Sequence, residues 1–132
     1  MSAEQSQNND EHPINPKKIK ELQERNGTAN AKVKRRDGRL FCYKITKRGN
    51  FVSVASQLGS YVIHEYDKDP MTKAEEEELI LVRLISHLKE AEELLKSVSE
   101  PDYYDVSMIN MIMMKYVGRL LAVNLARSYY LK

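Results

Sequence analysis

Residues 39–58 read Arg-Leu-Phe-Cys-Tyr-Lys-Ile-Thr-Lys-Arg-Gly-Asn-Phe-Val-Ser-Val-Ala-Ser-Gln-Leu, and their alternation decides the fold. Phe41, Tyr43 and Ile45 recur at every second position, the period of a strand with one buried face. Gly49-Asn50 offers a two-residue hairpin turn, and Phe51 to Leu58 resumes β-type residues before Gly59-Ser60 opens a third run, Tyr61 to Tyr66. The stretch predicts a three-stranded antiparallel meander. With the turn at Gly49-Asn50, Ile45 lies opposite Val54, Tyr43 opposite Ser56 and Phe41 opposite Leu58, all on the core side. The other side carries Arg48 opposite Phe51, Thr46 opposite Ser53 and Lys44 opposite Ala55. Cations, hydroxyls and one ring on an open sheet can stack a base while meeting the phosphate backbone.

Two resemblances attach to this region. Arg48-Gly49-Asn50-Phe51-Val52-Ser53-Val54 is similar to the Lys/Arg-Gly-aromatic-Gly-aromatic strand of RNA-recognition and cold-shock domains, without its first aromatic and its second small residue. A meander followed by an amphipathic helix resembles, in element order, the single-strand-binding units of the Whirly and Pur-alpha families. That order implies nucleic-acid binding by analogy of shape alone.

Downstream, the period changes to that of helices. Thr72 with Glu75 three residues on forms a capping box, and the run Glu75 to Glu78 suits the positive end of a helix dipole. Four consecutive carboxylates fan around a helix instead of converging on a metal. Leu81, Leu84, Leu88, Ala91, Leu95 and Val98 follow at 3-4-3-4-3 spacing, a seam for a partner helix, with His87 beside it. After Pro101, residues 106–131 predict a second helix, apolar at 18 of 26 positions with its polar residues dispersed, so it must be covered on all sides. Its longest uncharged run, Val106 to Met114, is nine residues against the ~20 that a bilayer needs, which argues against a membrane span. Gly118, Ala122 and Ala126, four apart, make a smooth seam for close helix approach, and the methionines from Met108 to Met114 are adaptable packing groups. Met111, Met114, Gly118, Leu121, Ala122, Leu125 and Ala126 are therefore the expected contact of a homodimer.

Upstream, residues 1–15 are Gln, Asn, Ser and Glu without apolar periodicity, the composition of a disordered tail. Ile19 and Leu22 mark a short helix over Lys17 to Arg25 that Asn26-Gly27 would stop. Thr28 to Gly38, with Lys32, Lys34, Arg35 and Arg36, reads as a mobile basic arm. The organisation expected is a tail and arm over 1–37 and one α+β domain over 38–132, which should fold without the arm.

The charges segregate along this map. Residues 17–48 hold twelve Lys/Arg against three Asp/Glu, a net +9, whereas residues 64–105 hold five against thirteen, a net −8. A basic segment of this density gives one end a field that attracts a polyanion. The single cysteine, Cys42, is expected as a half-buried strand residue, and its isolation together with the polar N-terminus points to a reducing, intracellular setting. There is no glycine-rich phosphate loop, no His/Cys pair at metal spacing and no nucleophile beside a base, so neither enzyme nor cofactor is expected. The function expected is low-specificity binding of single-stranded DNA or RNA through Lys32, Lys34, Arg35, Arg36, Arg39, Lys44, Lys47, Arg48 and Phe51. The alternative is a protein-interaction module, an adaptor, inhibitor or assembly component, whose arm meets an acidic protein surface.

Overall fold

A computed structural model describes residues 16–35, 38–67 and 69–130; the expected tail over 1–15 lies outside them. The elements in chain order are α1 (Pro16–Glu24), β1 (Gly27–Lys34), β2 (Leu40–Arg48), β3 (Phe51–Ala55), β4 (Ser60–His64), α2 (Pro70–Ser97) and α3 (Tyr103–Tyr130). The class is α+β, as expected, but the meander has four antiparallel strands in the order β1-β2-β3-β4. The additional strand is the segment expected to be a mobile arm. Ala29, Ala31 and Val33 point inward and are buried, while Thr28, Asn30, Lys32 and Lys34 point outward, so the strand period is present with side chains too small to announce it. The short N-terminal helix forms where expected. Its Ile19 and Leu22 belong to the core, so the folded domain begins well before residue 38.

The β2–β3 register is the expected one: Ile45 pairs with Val54, Thr46 with Ser53, Lys44 with Ala55 and Arg48 with Phe51. Gly49 takes φ 54°, the left-handed backbone that a two-residue hairpin needs, and Asn26 Oδ1 accepts its N–H at 3.0 Å. Tyr43, Ile45, Val52, Val54 and Ile63 fill the inner face. Against them lie Leu121, Ala122, Leu125 and Ala126 of α3.

Sheet and helix meet most closely at two glycines. A Cβ on Gly118 would stand 2.6 Å from the Leu58 Cβ, and one on Gly59 would stand 2.3 Å from the backbone N of Arg119. Tyr43 reaches across from β2 and donates its hydroxyl to the Gly118 carbonyl at 2.7 Å. Burial pushes that phenol up to about 12, against smaller opposing effects of Ser56 and Arg35, so it remains a donor at neutral pH. Gly118→Ala should gain up to ~1 kcal/mol of helix propensity and lose more to overpacking, ~1–3 kcal/mol. Gly59→Ala should cost more, because backbone and not a side chain blocks it. Thermal melts order the two: melting temperatures unchanged from wild type in both variants would mean that the turn slides freely over α3.

Asp69, not Thr72, caps α2. Its carboxylate accepts from Thr72 N at 3.3 Å and from Thr72 Oγ1 at 2.7 Å, and these bonds hold it below the usual carboxylate range. Pro70 follows at the first helical position. The acidic run finds its partners on α3: Glu77 lies 3.1 Å from Arg119, and Glu75 and Glu78 both pair with Arg127. Further along the hairpin Glu92 is buried, accepting from Asn110 of α3 at 3.2 Å and from Lys89 at 3.2 Å. Desolvation pushes its carboxyl up, but the two donors outweigh that and hold it below its ordinary value. A buried carboxylate with one partner across the interface favours a single helix register.

Candidate nucleic-acid interface

The strand period sends fifteen side chains to the outer face of the sheet: positions 28, 30, 32 and 34 of β1, 40, 42, 44, 46 and 48 of β2, 51, 53 and 55 of β3, and 60, 62 and 64 of β4. Among the described residues no helix covers this face, since α2 and α3 pack on the other. None of the fifteen is a carboxylate. Lys32, Lys34, Lys44 and Arg48 are exposed on it, so its cations are not neutralised by acids of the same face.

The aromatic groups gather at one corner. Cross-strand pairing puts Arg48 beside Phe51 and Phe51 beside His64. The Phe51 and His64 rings have centroids 5.7 Å apart, and His64 stands 4.7 Å from the ring of Tyr66 in the following turn. Asp67 Oδ2 accepts the His64 N–H at 3.2 Å and also meets Lys73 at 3.3 Å, pinning this turn to the start of α2. His64 and Tyr66 were not among the residues expected from sequence. The missing signal was the β3–β4 register, which alone places His64 against Phe51.

The expected binding residues separate into groups. Lys32, Lys34, Lys44, Arg48 and Phe51 share the outer face, with Phe51 half-buried. Arg35 and Arg39 flank the β1–β2 connection, where Arg35 N–H donates to the Arg39 carbonyl. Arg36 lies outside the described residues. Lys47 is a correction. Its odd position in β2 turns it to the inner side, where its side chain is 16 % exposed, donates to the Gln23 carbonyl at 3.1 Å and lies 3.9 Å from Glu65. Cys42, expected half-buried, is exposed on the outer face.

The expected dimer contact is corrected as well. Gly118, Leu121, Ala122, Leu125 and Ala126 are buried within the chain, because the β3–β4 turn and the inner sheet face occupy the small-residue seam. Met114 is half-buried against the same core, and only Met111 is exposed. By length and composition α3 could cross a membrane, but its C-terminal half is core and carries the ion-paired Arg119 and Arg127. Among the described residues no group of His, Cys, Asp and Glu has a metal-holding arrangement.

No family model, no curated protein and no solved structure matches the chain.

Proposed function

We propose that the protein binds single-stranded nucleic acid, DNA or RNA, on the outer face of its sheet, with low sequence specificity and without catalysis. The observation that supports this reading is an uncovered sheet face with four cations, no carboxylate and the Phe51–His64–Tyr66 ring cluster at one corner. Cations that track a backbone beside rings that accept any base are the two requirements of sequence-tolerant single-strand binding. Hydroxyls at Thr28, Thr46, Ser53 and Ser60 add hydrogen-bonding groups that do not select a base. The expected arm is thus replaced by an ordered strand that holds Lys32 and Lys34 in line with the rest of the face.

Fluorescence anisotropy with random-sequence oligonucleotides over a salt series tests the proposal. Each phosphate contact contributes about 0.7 to the slope of log affinity against log salt, so Lys44→Ala with Arg48→Ala should flatten the slope by ~1.4. Phe51→Ala should weaken binding by about 1–3 kcal/mol while leaving the melting temperature nearly unchanged, because its ring stands on the outer face and not in the core. Binding with an unaltered slope in the double variant would remove the sheet face from consideration. An absence of binding at low salt would favour an acidic protein surface as the partner.

A further inference from the structure

We infer that the N-terminal half of α3 is a self-association surface that pairs antiparallel with α3 of a second copy, so that two α2–α3 hairpins meet through their α3 helices. The inference rests on the helices alone and is independent of what the sheet face binds.

Along α3, Val106, Met113 and Val117 are buried and Asn110 bonds to Glu92, so this side faces α2. At 100° per residue the opposite side carries Tyr104, Met108, Met111 and Ile112. All four are exposed, Tyr104 at 70 % and Met111 at 63 %. The stripe is contiguous, and large apolar groups in one patch on water mark an interface. Residues 1–15 contain only Met1 and Ile14 as large apolar side chains, too few to cover it.

The charges at its ends identify the occupant. Asp105 and Lys115 are exposed, lie within the same arc of the helix, and stand five residues to either side of position 110. Met108 and Ile112 stand two residues to either side of the same position. A two-fold axis at residue 110 therefore sets Met108 against Ile112 of the other copy and Asp105 against its Lys115, twice over. Such self-complementarity is what an isologous contact requires. A parallel arrangement would instead put Asp105 against Asp105.

Sedimentation equilibrium on the full chain at tens of micromolar, with Met111→Arg, Asp105→Lys, Lys115→Asp and the double charge exchange, decides it. The expected result is a dimer that Met111→Arg converts to a folded monomer, since Met111 is outside the core. Each single charge reversal should weaken the dimer roughly tenfold, and the double exchange should restore it. Ten residues of helix separate the two charges by about 15 Å, so the rescue cannot arise within one chain. A wild-type monomer, or a dimer indifferent to Met111→Arg, overturns the proposal. Dissociation by Met111→Arg without rescue by the exchange overturns the antiparallel pairing.

Discussion

A chain truncated before Gly38 is expected to lose its cooperative melt and its near-ultraviolet circular dichroism, while a chain that begins at Pro16 keeps both. The shorter deletion retains every described contact. The longer one removes α1 and β1, and with them the buried Ile19, Leu22, Ala29, Ala31 and Val33. Burial of a Val, Leu or Ile side chain is worth about 1.5–3 kcal/mol, so the three largest of these together contribute roughly 4.5–9 kcal/mol. That is comparable to the entire stability of ~5–15 kcal/mol of a domain this size. The deletion also exposes the β2 edge and removes Gln23, which accepts from Lys47 and whose amide donates to the Tyr129 carbonyl at the end of α3. A folded, monodisperse protein lacking residues 1–37 would show that β1 is an accessory strand and that the domain starts at β2.

Much of this architecture was legible from side-chain period and turn chemistry. The Gly49-Asn50 hairpin, its register and the long helical pair follow from rules whose residues stand out, such as a glycine at the turn and leucines at helical spacing. What escaped lies where those signals weaken. In β1, alternation is carried by Ala29 and Ala31, residues poor in strand propensity, and four cations nearby gave the segment the composition of a solvated arm. Lys47 shares the parity of Tyr43 and Ile45, so its inward direction was implied by the pattern and masked by its neighbour Arg48. Small residues at Gly118, Ala122 and Ala126 do mark a close approach. Sequence spacing alone does not say whether a helix, a second chain or the chain's own turn makes that approach, and here it is the turn at Gly59.

The segregated charges take on different meanings in the fold. The acidic half is largely engaged internally: Asp69 caps α2, Glu75, Glu77 and Glu78 clamp Arg119 and Arg127, and Glu92 joins the two helices. The basic half keeps Lys32, Lys34, Lys44 and Arg48 on an open surface. The net field at the sheet is therefore set by groups without acidic neighbours on their own face, which is the condition for attracting an anion.

Ala122→Glu is expected to unfold the domain, and the manner of its failure separates two meanings of the small-residue seam. Ala122 is fully buried in the core formed by the sheet and α3, between Gly118 and Ala126 on the same helical line. The cations nearest in sequence, Arg119 and Arg127, are held by Glu75, Glu77 and Glu78 of α2. An introduced carboxylate would thus be buried without a partner and would also exceed the available volume, costs of several kcal/mol each in a domain with little to spare. The apolar site would raise the pKa of the new carboxyl above its unfolded value, so relative to wild type the loss should be largest at neutral pH. Its charge-dependent part should shrink as the pH falls to ~4.3 and vanish below it, where the group is protonated in both states. Chemical denaturation of variant and wild type at matched pH measures this difference. Met111→Glu, at an exposed position about three turns earlier on the same helix, supplies the control and should leave the fold intact. Should Ala122→Glu instead yield a folded monomer from a dimer, the seam would be a surface between copies, and the packing of α3 under its own sheet would have to be abandoned.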